Sequence, residues 1–433
     1  MHLSFRQLFT LLAATTVFLW GCSREIVPAA DPEGNTPSRI IPENCEGLPS
    51  VYIDTPEHVG IFSKLDWVKL STIRIEAVVD GKTVELYNAD SLKIKGHGNT
   101  TWTSYPKKPY SLKLKHKADF IGTGKTTRWI LLANWMDRTH LRNDVAFEAA
   151  RLTSLEWAPS GTFVHLHLNG VYLGLYWLGE RIHVEGSNFL ADYLYSLDTS
   201  DLQEQDFLTW YGRRRGAAQD GDIPVELKYP DRDDFTEWEF NQILKSAEST
   251  FHTVETNIHK PDAWASAIDT DSFCDWFLVN ELCFNNEPLY PKSTFMYYKN
   301  NKMYAGPVWD FDWGSFTWNE LGGNHLDLNL KASVYFYQLY PQPAFRKRLR
   351  ERWRTLKPQF EKLTDYIDQR AALIREADDY WMWPCYPNPL AEAGSGGLVN
   401  NDENLSFDAA VTLMKENLLK RISAMDNLIR NLQ

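Results

Sequence analysis

Residues 306–316 read GPVWDFDWGSF, with Asp310 and Asp312 threaded between large aromatics. If this stretch continues the strand before it, Trp309, Phe311 and Trp313 share one face and both carboxylates share the other. The acids would then lie roughly 7 Å apart, from two rises of ~3.3 Å each. Two oxygen donors at that separation can flank a hard cation such as Mg²⁺, directly or through water. A half-buried strand whose polar face meets solvent would carry the same pattern. His165 and His167 also share a strand face, as a metal pair could, and as the outer face of a hairpin commonly does. The HLDLNL stretch at 325–330 offers one more acid, but nothing in the sequence ties it to Asp310. No GxSxG, HExxH, P-loop or EF-hand pattern points to a hydrolase, zincin, NTPase or calcium sensor.

The elements around these residues are strand-rich first and helix-rich later. PSVYIDT reads as a strand, and STIRIEAVVDGKTVELY as two strands about the Asp80–Gly81 turn. DSLKIKGHGNTTW runs a strand into a glycine turn. In KKPYSLKLK, Tyr110, Leu112 and Leu114 alternate with Ser111, Lys113 and Lys115, which predicts a strand. DRTHLRNDVAFEAARLTSL has the spacing of an amphipathic helix with Thr139 as its cap. TFVHLHLNGVYLGLYWL predicts a second hairpin about Asn169–Gly170, and a third turns near Asn300–Asn301 before the opening motif. Residues 186–225 read as an irregular insertion. Helical patterns occupy 234–257, 261–268, 271–284, 343–379 and 405–432. Such an order suits an α+β chain of two lobes, with ligands preferring the cleft between them.

The chain has 433 residues and a formal net charge of −12, a poor balance for nucleic acid or an anionic membrane surface. No apolar stretch of spanning length follows the first two dozen residues. The opening MHLSFRQLFTLLAATTVFLWGC has the form of a secretory signal, and its LWGC ending resembles a lipobox that would place lipid on Cys22. An ordinary signal peptide with a chance cysteine is the alternative. Residues 1–22 would then be signal and lipobox, and 23–48 a flexible tether. Attachment by that lipid alone would put the chain in a bacterial envelope, at the outer membrane, on its periplasmic or surface face. The cysteines are scattered without a CxxC pair, so no structural zinc site is expected. With 17 Trp and 20 Tyr, the sequence suits either an aromatic core or a surface that stacks on sugars or peptides.

Three stretches, taken in order, carry a family resemblance: IKGHGNTTW with KKPYSLKLK, then LNGVYLGLYWLGE, then NELCFNNEPLYPKSTFMYY leading into GPVWDFDWGSF. They resemble the CotH (spore coat protein H) kinase family over about residues 50–320, and in particular its exported lipoprotein branch. The resemblance implies an atypical protein-kinase-like fold over 49–433, with an N-lobe at 49–185, the insertion at 186–225 and a C-lobe at 226–433. It implies phosphoryl transfer from ATP to protein Ser or Thr, with Mg²⁺. Nucleotide contacts would fall to Lys113, Gly96, Gly98 and Lys292, with Glu180 as a partner for Lys113. Asp310 would bind the metal with Asp312 beside it, and Glu287 would be the catalytic base. Lys113 and Asp310 must then converge across one crevice.

The departures from the family pattern are specific. Active members read approximately N-x-D-x-x-x-x-N where this chain has Glu287 and Lys292. Glutamate can still accept a proton, whereas a charged lysine has three donors and no acceptor and cannot ligate a metal. His97 stands where the family often has Arg. An exported enzyme would also work where ATP is scarce. Two readings follow: a CotH-like kinase homologue with altered or lost transfer, or a non-catalytic surface lipoprotein that holds a glycan or protein in the inter-lobe cleft. Metal-dependent hydrolysis by Asp310 and Asp312 is a third.

Overall fold

The computed structural model describes residues 39–184, 189–199, 210–214, 221–289, 291–318, 324–379, 382, 400, 402 and 404–432. Cys22, the signal stretch and the first part of the tether lie outside them. The rest of the tether is not free. Ile40 donates its N–H to the Asp119 carbonyl at 2.8 Å, and Ile41 is buried.

Seven strands close into a barrel in the order β1-β2-β3-β4-β5-β7-β6. They are β1 (Glu46–Asp54), β2 (Val68–Val79), β3 (Lys82–Gly96), β4 (Tyr110–Ala118), β5 (Thr126–Leu132), β6 (Gly161–Leu168) and β7 (Val171–Glu180). The Asp80–Gly81 and Asn169–Gly170 turns take positive φ at both residues (51°, 72°, 52° and 77°), the geometry whose twist matches a two-residue hairpin. A parallel contact between β1 and β6, from Ser50 opposite His165 to Ile53 opposite Leu168, completes the ring. Side-chain alternation fills it with Val51, Ile53, Ile75, Leu112, Leu131 and Leu166. β5 is apolar on both faces for a reason. Trp129 and Leu131 point into the barrel, while Ile130 and Leu132 pack outward on the helices.

A second sheet has the order β12-β11-β8-β10-β9, formed by β8 (Tyr193–Leu197), β9 (Trp210–Arg214), β10 (Gly221–Tyr229), β11 (Thr294–Lys299) and β12 (Lys302–Ala305). Three of these strands come from the stretch expected to be an irregular insertion. β8 is stabilised by pairing with β11, far downstream, and its Leu194 and Leu197 are buried with Ile223 and Val225. A partner so distant leaves no local signature.

The helices are α1 (Thr100–Ser104), α2 (Arg142–Arg151), α3 (Glu237–Ile258), α4 (Trp264–Ala267), α5 (Thr270–Cys283), α6 (Phe336–Leu339), α7 (Pro343–Phe360), α8 (Leu363–Ile374) and α9 (Phe407–Arg430). Local chemistry sets several starts. Thr236 and Glu239 form a capping box, Asp269 caps α5 through Ser272 N–H, and Ser406 caps α9 through Ala409 N–H. α5 lies at the centre, buried from Ser272 to Cys283, and its acids are paired: Asp275 with Arg352 at 2.6 Å and Glu281 with Arg421. Several of the tryptophans serve as core. Trp129, Trp135, Trp177, Trp264, Trp276 and Trp353 are buried, whereas Trp238 is exposed. Mixed strands and helices, with the strands concentrated in the first half, make this an α+β chain. No described helix is long and apolar enough to cross a membrane.

Candidate functional site

A cavity of about 560 Å³ opens between the barrel and the second sheet. Its size falls in the range of small-molecule sites. One end is basic. The β3–α1 turn brings Lys95, Gly96, His97 and Gly98, the end of β7 brings Arg181, and β10 brings Lys228. Lys64 joins from the loop before β2, its ammonium donating to Asn99 Oδ1 at 2.6 Å. Burial, then the charges of Arg181, Lys95, Lys228 and Lys64, hold His97 well below its usual range. Four cations therefore converge on one neutral imidazole, which meets Ser111 Oγ at 3.1 Å. Gly98 has φ 79°, a conformation that favours glycine, and a Cβ there would lie 2.4 Å from Thr101 Oγ1.

The other end is acidic, and tertiary contacts build it. α5 stops at Phe284, which takes the left-handed conformation (φ 57°). Asn285 then clamps the next turn: its amide donates to Asn280 Oδ1 at 3.1 Å and to the Asp310 carbonyl at 3.3 Å, while its Oδ1 accepts Glu287 N–H. Ser293 Oγ donates to Asp310 Oδ2 at 3.0 Å, and Ser293 N–H donates to Asp198. Asp198, Glu287, Lys292, Asp310 and Asp312 all line the cavity.

The WDFD stretch is not a strand. β12 ends at Ala305, and Asp310 has φ 67°, a left-handed kink that breaks the expected alternation. Trp309 stacks on Phe147 at 5.6 Å and Phe311 meets the same ring edge-on at 6.3 Å, while Trp313 turns to the cavity wall. The kink draws the two acids together. Instead of standing 7 Å apart, the Asp310 and Asp312 carboxyls share a hydrogen bond. Burial raises all three central acids. Asp312 goes well above the usual carboxylate range through burial and then the Asp310 charge. Glu287 goes well above it for the same two causes, with Lys292 pulling the other way. Asp310 rises less, because the hydrogen bonds from Ser293 and Asp312 oppose the effect of burial. Among the described residues, no group of three or more His, Cys, Asp or Glu could hold a metal by itself.

Lys113 is misplaced in the sequence reading. It pairs with Lys93, three positions along β4 from the Gly96–Tyr110 pair, about 10 Å away at ~3.3 Å per residue. Its electrostatic neighbours are Arg128, Asp231, Lys93 and Asp234, and it does not line the cavity. Lys95, opposite Ser111 on the neighbouring strand, does line it, with its ammonium donating to the Leu65 carbonyl at 3.4 Å and lying 4.8 Å from the Trp67 ring. The structure thus joins Gly96, Gly98, Glu287, Lys292, Asp310 and Asp312 around one cavity and leaves Lys113 outside. Glu180 is buried at the end of β7. His165 and His167 are engaged elsewhere: His165 Nδ1 meets Tyr172 Oη at 2.9 Å and His167 stacks on Tyr52 at 4.6 Å. Asp327 of the HLDLNL stretch pairs with Lys331 at 2.6 Å.

Sequence reasoning missed Lys95, Arg181, Asp198, Lys228 and the scaffold in DRTHLRND. That run read as one amphipathic helix capped by Thr139, yet its charged residues are buried and Leu141 precedes the helix. Asn143 Oδ1 accepts Phe311 N–H at 2.8 Å, and Arg142 Nε donates to the Ser315 carbonyl at 2.8 Å. Arg142 also pairs with Asp137 and, at 2.6 Å, with Asp402. α2 therefore holds the WDFD turn at Phe311 and the chain just beyond it at Ser315. The one available signal was its density of hydrogen-bonding side chains, excessive for a surface helix turn.

No curated protein matches the chain. The family model described as CotH kinase protein matches residues 92–425, which is most of its length and includes both walls of the cavity. By that match the chain belongs to the CotH kinase protein family.

Proposed function

We propose that the chain is a kinase-like phosphotransferase in which the barrel and the helical half act as two lobes around a Mg²⁺–nucleotide site. The observation that carries this reading is the polarity of a single cavity, with four cations around His97 at one end and the Asp310–Asp312 pair with Glu287 at the other. A nucleoside triphosphate has matching needs: cationic donors for its phosphates and hard oxygens for its metal. The donor set fits Mg²⁺, which is usually held by one or two carboxylates and completed by phosphates and water rather than by a full protein cage.

Bound Mg²⁺–ATP would supply the transferable phosphoryl group and neutralise charge developing on it. Lys95, Arg181 and Lys228 orient the phosphates, and the Gly98 turn allows the backbone to approach them closely. Asp310, braced by Ser293, and Asp312 are the residues that would hold the metal, both as carboxylates without the proton they share. Glu287, ionised when a bound cation offsets the Asp310 charge that favours its neutral form, would accept the proton of a Ser or Thr hydroxyl on a protein acceptor. Lipid attachment at Cys22 belongs to the same proposal, and fatty-acid labelling lost in Cys22→Ala tests it.

The test of the site is a thermal melt with ATP and Mg²⁺. Protection that requires both and disappears in Asp310→Ala supports the reading. Equal protection in Asp310→Ala, or none in the parent, overturns it. The non-catalytic alternative predicts glycan or protein capture that is indifferent to Asp310.

A further inference from the structure

The acidic end of the cavity contains one cation of its own. Lys292 lies one residue before Ser293, whose hydroxyl is bonded to Asp310 and whose backbone has φ 46°. Glu287 is fixed on the other side of that loop by the Asn285 clamp. The Lys292 backbone is thus anchored between the two acids, and its charge acts on both Glu287 and Asp310. Among the described residues it makes no ion pair within 4 Å, so the ammonium is committed to neither carboxylate.

Transfer of a phosphoryl group at such a site concentrates negative charge from the phosphates and from Asp198, Glu287, Asp310 and Asp312. Kinase sites meet this charge with two divalent ions, the second held in part by a neutral oxygen donor on the catalytic loop. An ammonium has no lone pair to offer a metal, but it is a compact phosphate-binding charge. Resting on the phosphotransferase reading above, we infer that the Lys292 ammonium stands where a second divalent cation would otherwise bind. The site then takes a single divalent ion, on Asp310 and Asp312, and Lys292 contacts the phosphates directly. Unlike a second metal, this cation cannot be removed by dilution or chelation.

Mn²⁺ reports the stoichiometry, because free Mn²⁺ is countable by electron paramagnetic resonance without any turnover. The full chain is titrated with Mn²⁺ and a non-hydrolysable ATP analogue, beside Lys292→Asn and Lys292→Met. One tightly held Mn²⁺ per chain in the parent, two in Lys292→Asn and one in Lys292→Met support the inference. Lys292→Met should also bind the analogue about tenfold more weakly, as expected for losing a hydrogen bond to a charged group. Two Mn²⁺ in the parent overturn the inference while leaving the phosphotransferase site standing, and so does a single Mn²⁺ in Lys292→Asn. No analogue-dependent Mn²⁺ in the parent overturns both. Lys292 is exposed, so ligand-free melting curves of the variants should match the parent. If Lys292→Asn nevertheless fails to fold, the parent count and the Lys292→Met affinity decide.

Discussion

Replacing Asp312 with Asn should stabilise this protein at neutral pH. Asp312 is 8% exposed and hydrogen-bonded to Asp310, with burial and the Asp310 charge both opposing its ionisation. The folded chain therefore holds a proton at this pair after the unfolded chain has released its own, above about pH 4. Where the folded state binds more protons than the unfolded, stability falls as pH rises. The loss begins near the unfolded value and continues until the pair ionises. Each tenfold excess in proton affinity corresponds to about 1.4 kcal/mol. Asn keeps the volume and still donates to Asp310, so the variant should gain on the order of 1–3 kcal/mol at pH 7.5, the usual scale of a buried polar group's desolvation penalty. For a chain of this size that is roughly 1–4 °C in Tm, from about 2.1 cal/mol/K of unfolding entropy per residue. The assay is a set of melting curves from pH 4.5 to 8.5 without divalent ions. The parent Tm should decline across this range more steeply than that of Asp312→Asn, with the curves nearest at the acid end. A variant less stable than the parent at pH 7.5, or two parallel curves, would refute the reasoning. If Asp310 and Asp312 hold Mg²⁺ as proposed, binding expels the proton they share, and Mg²⁺ with nucleotide should recover in the parent a stability that it cannot add in the variant.

Other expectations follow from the same geometry. Lys95→Ala should weaken nucleotide-dependent thermal protection by about tenfold in affinity, as for losing a charge-assisted contact, whereas Lys113→Ala should leave it unchanged. Equal effects in isothermal titration would return Lys113 to the site. Arg142→Leu removes the guanidinium paired with buried Asp137 and Asp402 and should cost about 3–5 kcal/mol, measured by urea unfolding. Lys107→Met should cost about as much, because Lys107 is buried, bonds the Leu175 carbonyl at 2.5 Å and pairs with Asp379 at 2.8 Å. Gly98→Ala places a Cβ against Thr101 in a left-handed backbone and should destabilise by about 1 kcal/mol while loosening the phosphate turn, read by melt and nucleotide titration together.

Much of the framework was legible because it depends on near neighbours. The Asp80–Gly81, Asn169–Gly170 and Asn300–Asn301 turns are each written in two residues, and all three hairpins form around them. The long helices α3, α7 and α9 show in their apolar spacing, whereas α5, buried on every face, shows as an apolar run behind its Asp269 cap. β8 was hidden because its partner β11 lies far along the chain. The buried run from Asp137 to Asp144 was hidden because a hydrophobic pattern cannot say that a charged residue will find its counter-ion inside.

The sequence alone determined the chemical vocabulary of the site: paired aspartates within an aromatic block, a glycine turn, and Glu287 and Lys292 ahead of the last hairpin. It also determined the hairpins on which those groups ride. Only the tertiary structure decided that Asp310 kinks away from a strand so the acids touch, and that Lys95 rather than Lys113 lines their cavity. It also brought Arg181, Lys228 and Asp198 in from separate strands. Local pattern follows backbone periodicity and turn chemistry, which act over a few residues. The cavity comes from barrel closure and from polar contacts such as Asn143 to Phe311, whose partners are distant in the chain and are selected only when the core packs.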